Sequence, residues 1–422
     1  MNPINKKIKN NTPWKHQARA AGLFISALLF LLFTSSFSNA ASPAACFSKL
    51  TENDAAALAD PTGHVLHAVN EKRACIPAST LKILTALTAL RSFEPSYRFP
   101  TRLFVDADNT LYVKGLGDPL LTSEVLIEMA REISQKIGNI GHIVVDHSYF
   151  SDVRIPGTNR STNPYDAPVG ALSANFNTVK IAAGSGGELE SAEDQTPLIR
   201  YAKTRLKRIG AKGKGRYAFI HEPGEAALYT GELLSHFLKL NGVSITGMIK
   251  TGKVPPDAQT LMTFLSPWTI EDAVEQMLEF SSNFIANQLF LATGARELGP
   301  PGNLDKSLKI VKNLAFEVLG LTSLRIVEGS GISRGNRITA SDMLKLLRHF
   351  APYRHMLKRE LGIACKTGTL AGIRSRAGYL EPVPGKPHPF ALFITENIEN
   401  TDNIVRCLGR TADNLIGSGN TR

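Results

Sequence analysis

Three short polar motifs, spread over most of the chain, set the strongest constraint on how it folds. Ser79-Thr80-Leu81-Lys82 opens an apolar helical stretch, Ser281-Ser282-Asn283 lies beside a second, and Lys366-Thr367-Gly368-Thr369 stands in strand-forming sequence near the end. Each supplies part of one chemistry. A serine at a helix start with a lysine one turn on is a nucleophile within reach of a base. A second hydroxyl can relay a proton to a leaving amine, and an asparagine amide can hold a peptide. A lysine with two threonines can bind a carboxylate, and a glycine lets a substrate backbone approach closely. None of these groups is sufficient alone, so the fold must bring all three segments to one place.

Chance matches have to be set aside first. A chain of this length and ordinary composition holds about one S-x-x-K by accident. The position of Ser79, after Pro77-Ala78 and before the apolar run KILTALTALRSF, sets it apart. S-x-N also occurs at Ser161, Ser173 and Ser418, but only Ser281 lies beside a helix (DAVEQMLEF) between the other two motifs. A second K-T-G, Lys250-Thr251-Gly252, precedes Ser281 and runs into Lys-Val-Pro-Pro, which breaks a strand; it reads as structural. For Lys82 to take the Ser79 proton it must be neutral. That requires desolvation and a second nearby cation, for which Lys366 is the candidate. The backbone N–H groups of Ser79 and Thr369 would form the oxyanion hole.

With 422 residues the chain suggests two or three domains. Ala55 to Asn70 reads as two strands around Asp60-Pro61-Thr62-Gly63. The texture changes near Phe99: a hairpin over 102–116, a helix over 123–137, a strand over 141–146, a polar loop over 151–166, a helix over 224–241 and a strand over 243–250. Pro255-Pro256 marks a boundary. Helices are expected over 269–291, 304–319 and 340–350, then strands around Lys366, 377–380 and 390–395, and a last helix over 400–416. Strands at both ends with helices between them imply one α/β domain, residues 41–98 and 258–422, interrupted by an α+β insertion over 99–257 with a smaller nested subdomain around 175–225.

The first forty residues differ from the rest. Lys6, Lys7, Lys9, Lys15 and Arg19 precede the apolar core AGLFISALLFLLF and the small-residue site Ser38-Asn39-Ala40, the pattern of a secretory signal peptide over residues 1–40. A retained anchor is the alternative, although the core is short against the ~20 residues of a span. Removing those five cations takes the formal charge from +11 to +6, a modest excess that suits anionic envelope surroundings. No basic block with interleaved aromatics suggests nucleic acid binding, and membrane association is at most peripheral. No His/Cys cluster has metal-ligand spacing, so no metal site is assigned. The cysteines, Cys46, Cys75, Cys365 and Cys407, are too few for a disulfide scaffold.

Taken together, the chain resembles the low-molecular-mass class C penicillin-binding proteins, the D-alanyl-D-alanine carboxypeptidase/endopeptidase family. Beyond the three motifs, PASTLK, GLGDP, NPYDAP with ALSANFN, EGSGISRGNRIT and CKTGTLAGIRSRAGYL resemble family blocks across nearly all of the mature chain. Two departures stand out: Ser282 where aspartate is common, and a shortened, glycine-rich insert (GSGGELESAED). The resemblance implies a penicillin-recognising serine transpeptidase-like domain, with an antiparallel sheet flanked by helices and an all-helical region.

It also implies an exported serine DD-peptidase of the periplasm or cell-envelope exterior, acting on peptidoglycan stem peptides and acylated by β-lactam antibiotics, without metal or organic cofactor. Ser79, Lys82, Ser281, Asn283 and Lys366 would be catalytic, and Thr367, Gly368 and Thr369 would bind substrate. Asp118 and Arg334 would form a side pocket for the ammonium and carboxylate of a diaminopimelate-like third residue. Asp118 could equally cap a turn. The family places Cys46 and Cys407 on neighbouring first and last helices, where a disulfide can tie the ends; Cys75 and Cys365 could pair or stay reduced. The rival readings are a β-lactamase or esterase on the same fold, and a catalytically idle wall-binding protein.

Overall fold

Strands from the two ends of the chain pair with each other. In the computed structural model, which describes residues 42–184 and 188–415, a six-stranded antiparallel sheet has the order Arg359–Glu360, Ile363–Leu370, Ile373–Val383, Lys386–Ile394, Ala55–Ala59, Val65–Val69. Ala55 lies opposite Phe393 and Leu58 opposite Phe390. The strand Ala55–Ala59 is buried at every position because both faces of the sheet are covered. Ala56 and Leu58 pack under the terminal helices Pro43–Phe47 and Thr401–Leu415. Ala55, Ala57 and Ala59 turn to the opposite layer, which contains the helices Lys82–Ser92, Ile270–Glu279, Asn283–Leu298 and Ala340–Phe350. Their short side chains allow that layer to approach closely.

The intervening segment builds its own sheets. Five strands run in the order Ile249–Thr251, Ile143–Asp146, Leu111–Gly115, Arg98–Val105, Gln259–Thr269. The helices Ser123–Ser134 and Pro223–Leu240 contribute to the apolar cluster on this sheet. A three-stranded sheet, Leu189–Ser191, Thr178–Ala183 and Gly215–Ala218, follows within it. Two sequence expectations need correction. Gln259–Thr269, expected within the resumed α/β domain, pairs instead antiparallel with Arg98–Val105 in the five-stranded sheet, and the helix that joins the first layer starts at Ile270. This edge strand carries a proline and so reads poorly as a strand. The short helix Arg200–Arg208 was also missed, since its sequence is dominated by charge.

The proposed signal segment lies outside the described residues. Among the described residues no helix is long and apolar enough to cross a membrane.

Cys46 and Cys407 are joined, with Cα atoms 5.5 Å apart. The bond closes a loop over a sequence separation of 361 and fastens the two terminal helices. Cys75 and Cys365 are free and buried; burial pushes their thiols up to about 11 and about 12. Peptide mapping of the unreduced protein should therefore recover a Cys46–Cys407 pair, while Cys75 and Cys365 stay unalkylated until unfolding. Replacing both bonded cysteines by serine should cost about 2–5 kcal/mol by denaturant melts. A freely alkylated Cys407 in the native protein would contradict this arrangement.

Candidate active site

The first motif forms a single turn, Ala78–Leu81, that runs directly into the helix Lys82–Ser92. Ala78 has a φ of 48°, a left-handed conformation that costs a residue other than glycine about 1–3 kcal/mol. Its surroundings hold it there. The Ser375 hydroxyl donates to the Pro77 carbonyl at 2.6 Å and the Thr80 hydroxyl to the same oxygen at 2.7 Å. Gly331 and Gly368 pack against the turn. A Cβ at Gly331 would collide with the Ala78 carbonyl oxygen, and one at Gly368 would meet the Ser375 hydroxyl and Pro77.

Lys82 is completely buried. Its Nζ lies 3.1 Å from Ser79 Oγ, 2.8 Å from Asn283 Oδ1 and 2.7 Å from the Ser330 carbonyl oxygen. The two carbonyl oxygens can only accept, so they take two N–H bonds. The Ser79 hydroxyl can also donate, so a neutral amine would present its lone pair to that proton. Burial drives the Lys82 pKa well below the lysine range; the Lys366 cation adds to this and Glu328 opposes it.

Lys366, on the strand Ile363–Leu370, is nearly buried and donates to the Thr367 carbonyl at 3.1 Å. Burial pushes its pKa down to about 8, which leaves it mostly cationic at neutral pH. Thr367 is half-buried and Thr369 is exposed on the same strand. The neighbouring strand Arg359–Glu360 pairs only with Ile363 and Ala364. The outer backbone edge beside Lys366–Leu370 therefore has no strand partner among the described residues.

The second motif occupies the turn between the helices Ile270–Glu279 and Asn283–Leu298, with Ser281 at a φ of 53°. Asn283 starts the second helix and faces Lys82; its Nδ2 donates to the Tyr165 carbonyl at 3.4 Å. Ser282 is the N-cap: its Oγ accepts the Ile285 N–H at 3.2 Å. This explains why serine replaces aspartate here, since both are strong N-caps. Ser281 and Asn283 share the wall of a cavity of about 360 Å³ with Tyr165, Phe176, Phe280 and Arg216. The Ser281 hydroxyl makes no hydrogen bond to either lysine among the described contacts, so only Ser79, Lys82 and Asn283 of the five expected residues are directly joined.

The remaining expected residues separate. Arg334 is exposed and donates to the Ala371 carbonyl, at the hairpin that ends the Lys366 strand. Asp118 is a correction. Only 4% of it is exposed, Oδ1 accepts the Leu120 N–H at 2.8 Å, and Oδ2 is buried with no hydrogen-bond partner among the described residues. Desolvation raises its pKa to about 6 despite the Leu120 bond. It caps a turn, the alternative the sequence left open, and its burial leaves it without the exposed oxygen a pocket acid would present. Lys250 of the second K-T-G pairs with Val144 at the edge of the five-stranded sheet.

Sequence reasoning missed Glu328 and Ser330. Glu328 has no exposed surface and gathers the loop that presents the Ser330 carbonyl to Lys82. The signal lay within EGSGISRGN, as an acid followed by small residues and asparagine.

Residues 49–213 and 212–364 match the model of the D-Ala-D-Ala carboxypeptidase 3 (S13) family. The chain belongs to that family. It is a serine-type DD-peptidase, a hydrolase. A D-alanyl-D-alanine carboxypeptidase from Actinomadura sp. (strain R39) is 26% identical over 80% of this chain and 76% of its own length. The D-alanyl-D-alanine carboxypeptidase DacB of Haemophilus influenzae is 24% identical over 76% and 80%. The crystal structure of penicillin-binding protein 4 (dacB) from that organism superposes with a TM-score of 0.68 at 20% identity, covering 89% of this chain and 99% of its own. A penicillin G-acylated predatory endopeptidase from Bdellovibrio bacteriovorus superposes at 0.52 and 15% identity, covering 86% and 92%. The fold is thus that of penicillin-binding serine peptidases.

The glycine contacts around the Ala78 turn give a direct test. Gly331→Ala should leave the circular dichroism spectrum intact but slow β-lactam acylation by about 100-fold, the cost of misplacing a reacting group by about 1 Å. Wild-type acylation rates in this variant would show that the turn does not depend on that contact.

Proposed function

We propose that the chain is an exported DD-peptidase that cleaves D-Ala-D-Ala termini, peptide cross-links of peptidoglycan, or both, through an acyl-enzyme on Ser79. The observation that carries this reading is the three-way hydrogen bonding of Lys82 Nζ to Ser79, Asn283 and the Ser330 carbonyl. Asn283 and Ser330 occupy both protons of a neutral amine, and its lone pair is left for the Ser79 hydroxyl. As Ser79 Oγ bonds to the carbonyl carbon, its proton passes to Lys82. The backbone N–H groups of Ser79 and Thr369 stabilise the oxyanion. Ser281 hands the proton on to the leaving amine once bound substrate bridges the gap between them. Water then hydrolyses the ester, regenerating Ser79.

Substrate is held by the open edge of the Lys366 strand, which can accept an extended peptide as an added strand. Lys366, Thr367 and Thr369 take the terminal carboxylate, and Gly368 permits the close approach. Arg334, at the end of that strand, can take a second carboxylate with two hydrogen bonds. Export is supported by the leader-like residues 1–40 and by the Cys46–Cys407 disulfide, which an oxidising compartment maintains.

Benzylpenicillin should add its mass to the Ser79 peptide, and Ser79→Ala should abolish both this adduct and release of D-alanine or cross-linked product from muropeptides. Labelling that persists in a folded Ser79→Ala variant would overturn the assignment. Acylation should rise with pH as Lys82 loses its proton, at a pH well below the usual lysine range. It should fall again as Lys366 deprotonates near about 8. A rate still rising above pH 10 would contradict a neutral Lys82 as base.

A further inference from the structure

Glu328 is a fully buried acid with no ion-pair partner among the described residues, and the mechanism proposed above assigns it no task. Every group bonded to it is neutral and donates. Oε2 accepts the Ser330 N–H at 2.6 Å and the Ser330 hydroxyl at 2.7 Å. Oε1 accepts the Gly331 N–H at 2.8 Å, the Ser333 N–H at 3.2 Å and Asn336 Nδ2 at 2.6 Å. The loop bent around this carboxyl group is pinned from outside as well. Asn287 Oδ1 accepts the Gly329 N–H at 2.8 Å, and the Thr85 hydroxyl donates to the Gly329 carbonyl at 2.5 Å.

That loop performs two tasks at the reacting centre. It places the Ser330 carbonyl 2.7 Å from Lys82 Nζ, and it brings Gly331 against the Ala78 turn that carries Ser79. A buried carboxyl group gathering five donors is a costly way to shape a loop, since burying a charge requires full compensation. A neutral amide or hydroxyl in its place has only one acceptor oxygen and could not satisfy all five donors. A charge has a further effect that a neutral residue lacks: it acts on Lys82.

We propose that Glu328 is a positioning and electrostatic residue for acyl transfer, holding the Ser330 carbonyl on Lys82 and supplying the counter-charge for the Lys82 ammonium formed when Ser79 is deprotonated. The inference rests on Lys82 being the base. The charged groups acting on Lys82 are Lys366, from the strand Ile363–Leu370, and Glu328. The helices Lys82–Ser92 and Asn283–Leu298 contribute only neutral Thr85, Asn283 and Asn287 to this cluster. With Lys366 charged and Lys82 neutral, the Glu328 carboxylate balances the buried site at rest. When Lys82 gains the Ser79 proton, Glu328 is the anion that offsets the second cation. The two lysines alone would repel each other and make Lys82 too weak a base.

The test is the pH profile of benzylpenicillin acylation in Glu328→Gln. Loss of the anion should move the acid limb, set by Lys82, down by about one pH unit or more, the effect of one neighbouring charge. The plateau should fall by about tenfold because the base is weaker. Ser330→Ala, which removes one hydrogen bond to Glu328 but keeps its charge, should lower the plateau and leave the limb in place. If the glutamine variant does not fold, Glu328→Asp withdraws the charge by one methylene and should move the limb the same way by less. A Glu328 variant with a lowered rate and an unmoved limb would show a purely structural residue and overturn the proposal. Failure of the underlying assignment is distinguishable, because the benzylpenicillin adduct would then map to a residue other than Ser79 in the wild-type protein.

Discussion

A lysine amine sealed from water beside another lysine is the constraint around which this site is organised. Lys82 has no exposed surface and three hydrogen-bond partners. Holding an ammonium there is unfavourable, which pulls the Lys82 pKa well below the usual lysine range and, in the proposed mechanism, makes the side chain the base. A neutral amine has two protons to donate and one lone pair. The Asn283 and Ser330 oxygens decide where the protons go, and their placement directs the lone pair to Ser79. In the proposed mechanism the base is made by position, through residues distant in sequence, and not by any property of the S-x-x-K spacing itself.

The rest of the fold can be understood as the means of holding those partners. The nucleophile turn is clamped by Gly368 of the Lys366 strand, by Ser375 of the neighbouring strand Ile373–Val383, and by Gly331 of the Glu328 loop. The Lys366 strand is fixed in the six-stranded sheet, whose continuity across Phe393 and Ala55 requires both ends of the chain. Asp54 reinforces that junction: its Oδ1 accepts the Thr395 N–H at 2.8 Å and its Oδ2 the Thr51 N–H at 3.0 Å. The Cys46–Cys407 bond fastens the helices that cover this face. Loosening the termini would therefore loosen the strand that carries Lys366.

Much of the site was legible because its chemistry is local. Ser79 and Lys82 sit one turn apart, Asn283 is identified by its place between the other motifs, and the second K-T-G could be set aside by the prolines after it. The cysteine pairing came through family resemblance, since nothing in the spacing of Cys46 and Cys407 fixes a contact over such a separation. Asp118 was misassigned because Asp-Pro after glycine is equally a turn signal, and burial, which sequence does not display, decides between the two. Ser282 looked like a tolerated departure, yet its N-cap role follows from helix-start rules that apply to this segment. Glu328 was overlooked because its function depends on a loop meeting Lys82 from the far side of the chain. The strand Gln259–Thr269 was hidden by an edge position and a proline, with no regular alternation to reveal it.

The state of Lys82 is open to direct observation. Nitrogen NMR of ¹⁵N-lysine-labelled protein, with the Lys82 resonance assigned by its loss in Lys82→Met, follows the amine through a pH titration without relying on turnover. The account requires a neutral amine at pH 7 whose titration midpoint lies well below that of ordinary lysines, moving upward when Lys366 is replaced by methionine. A Lys82 resonance that stays ammonium-like at pH 7 and titrates with the surface lysines would contradict it.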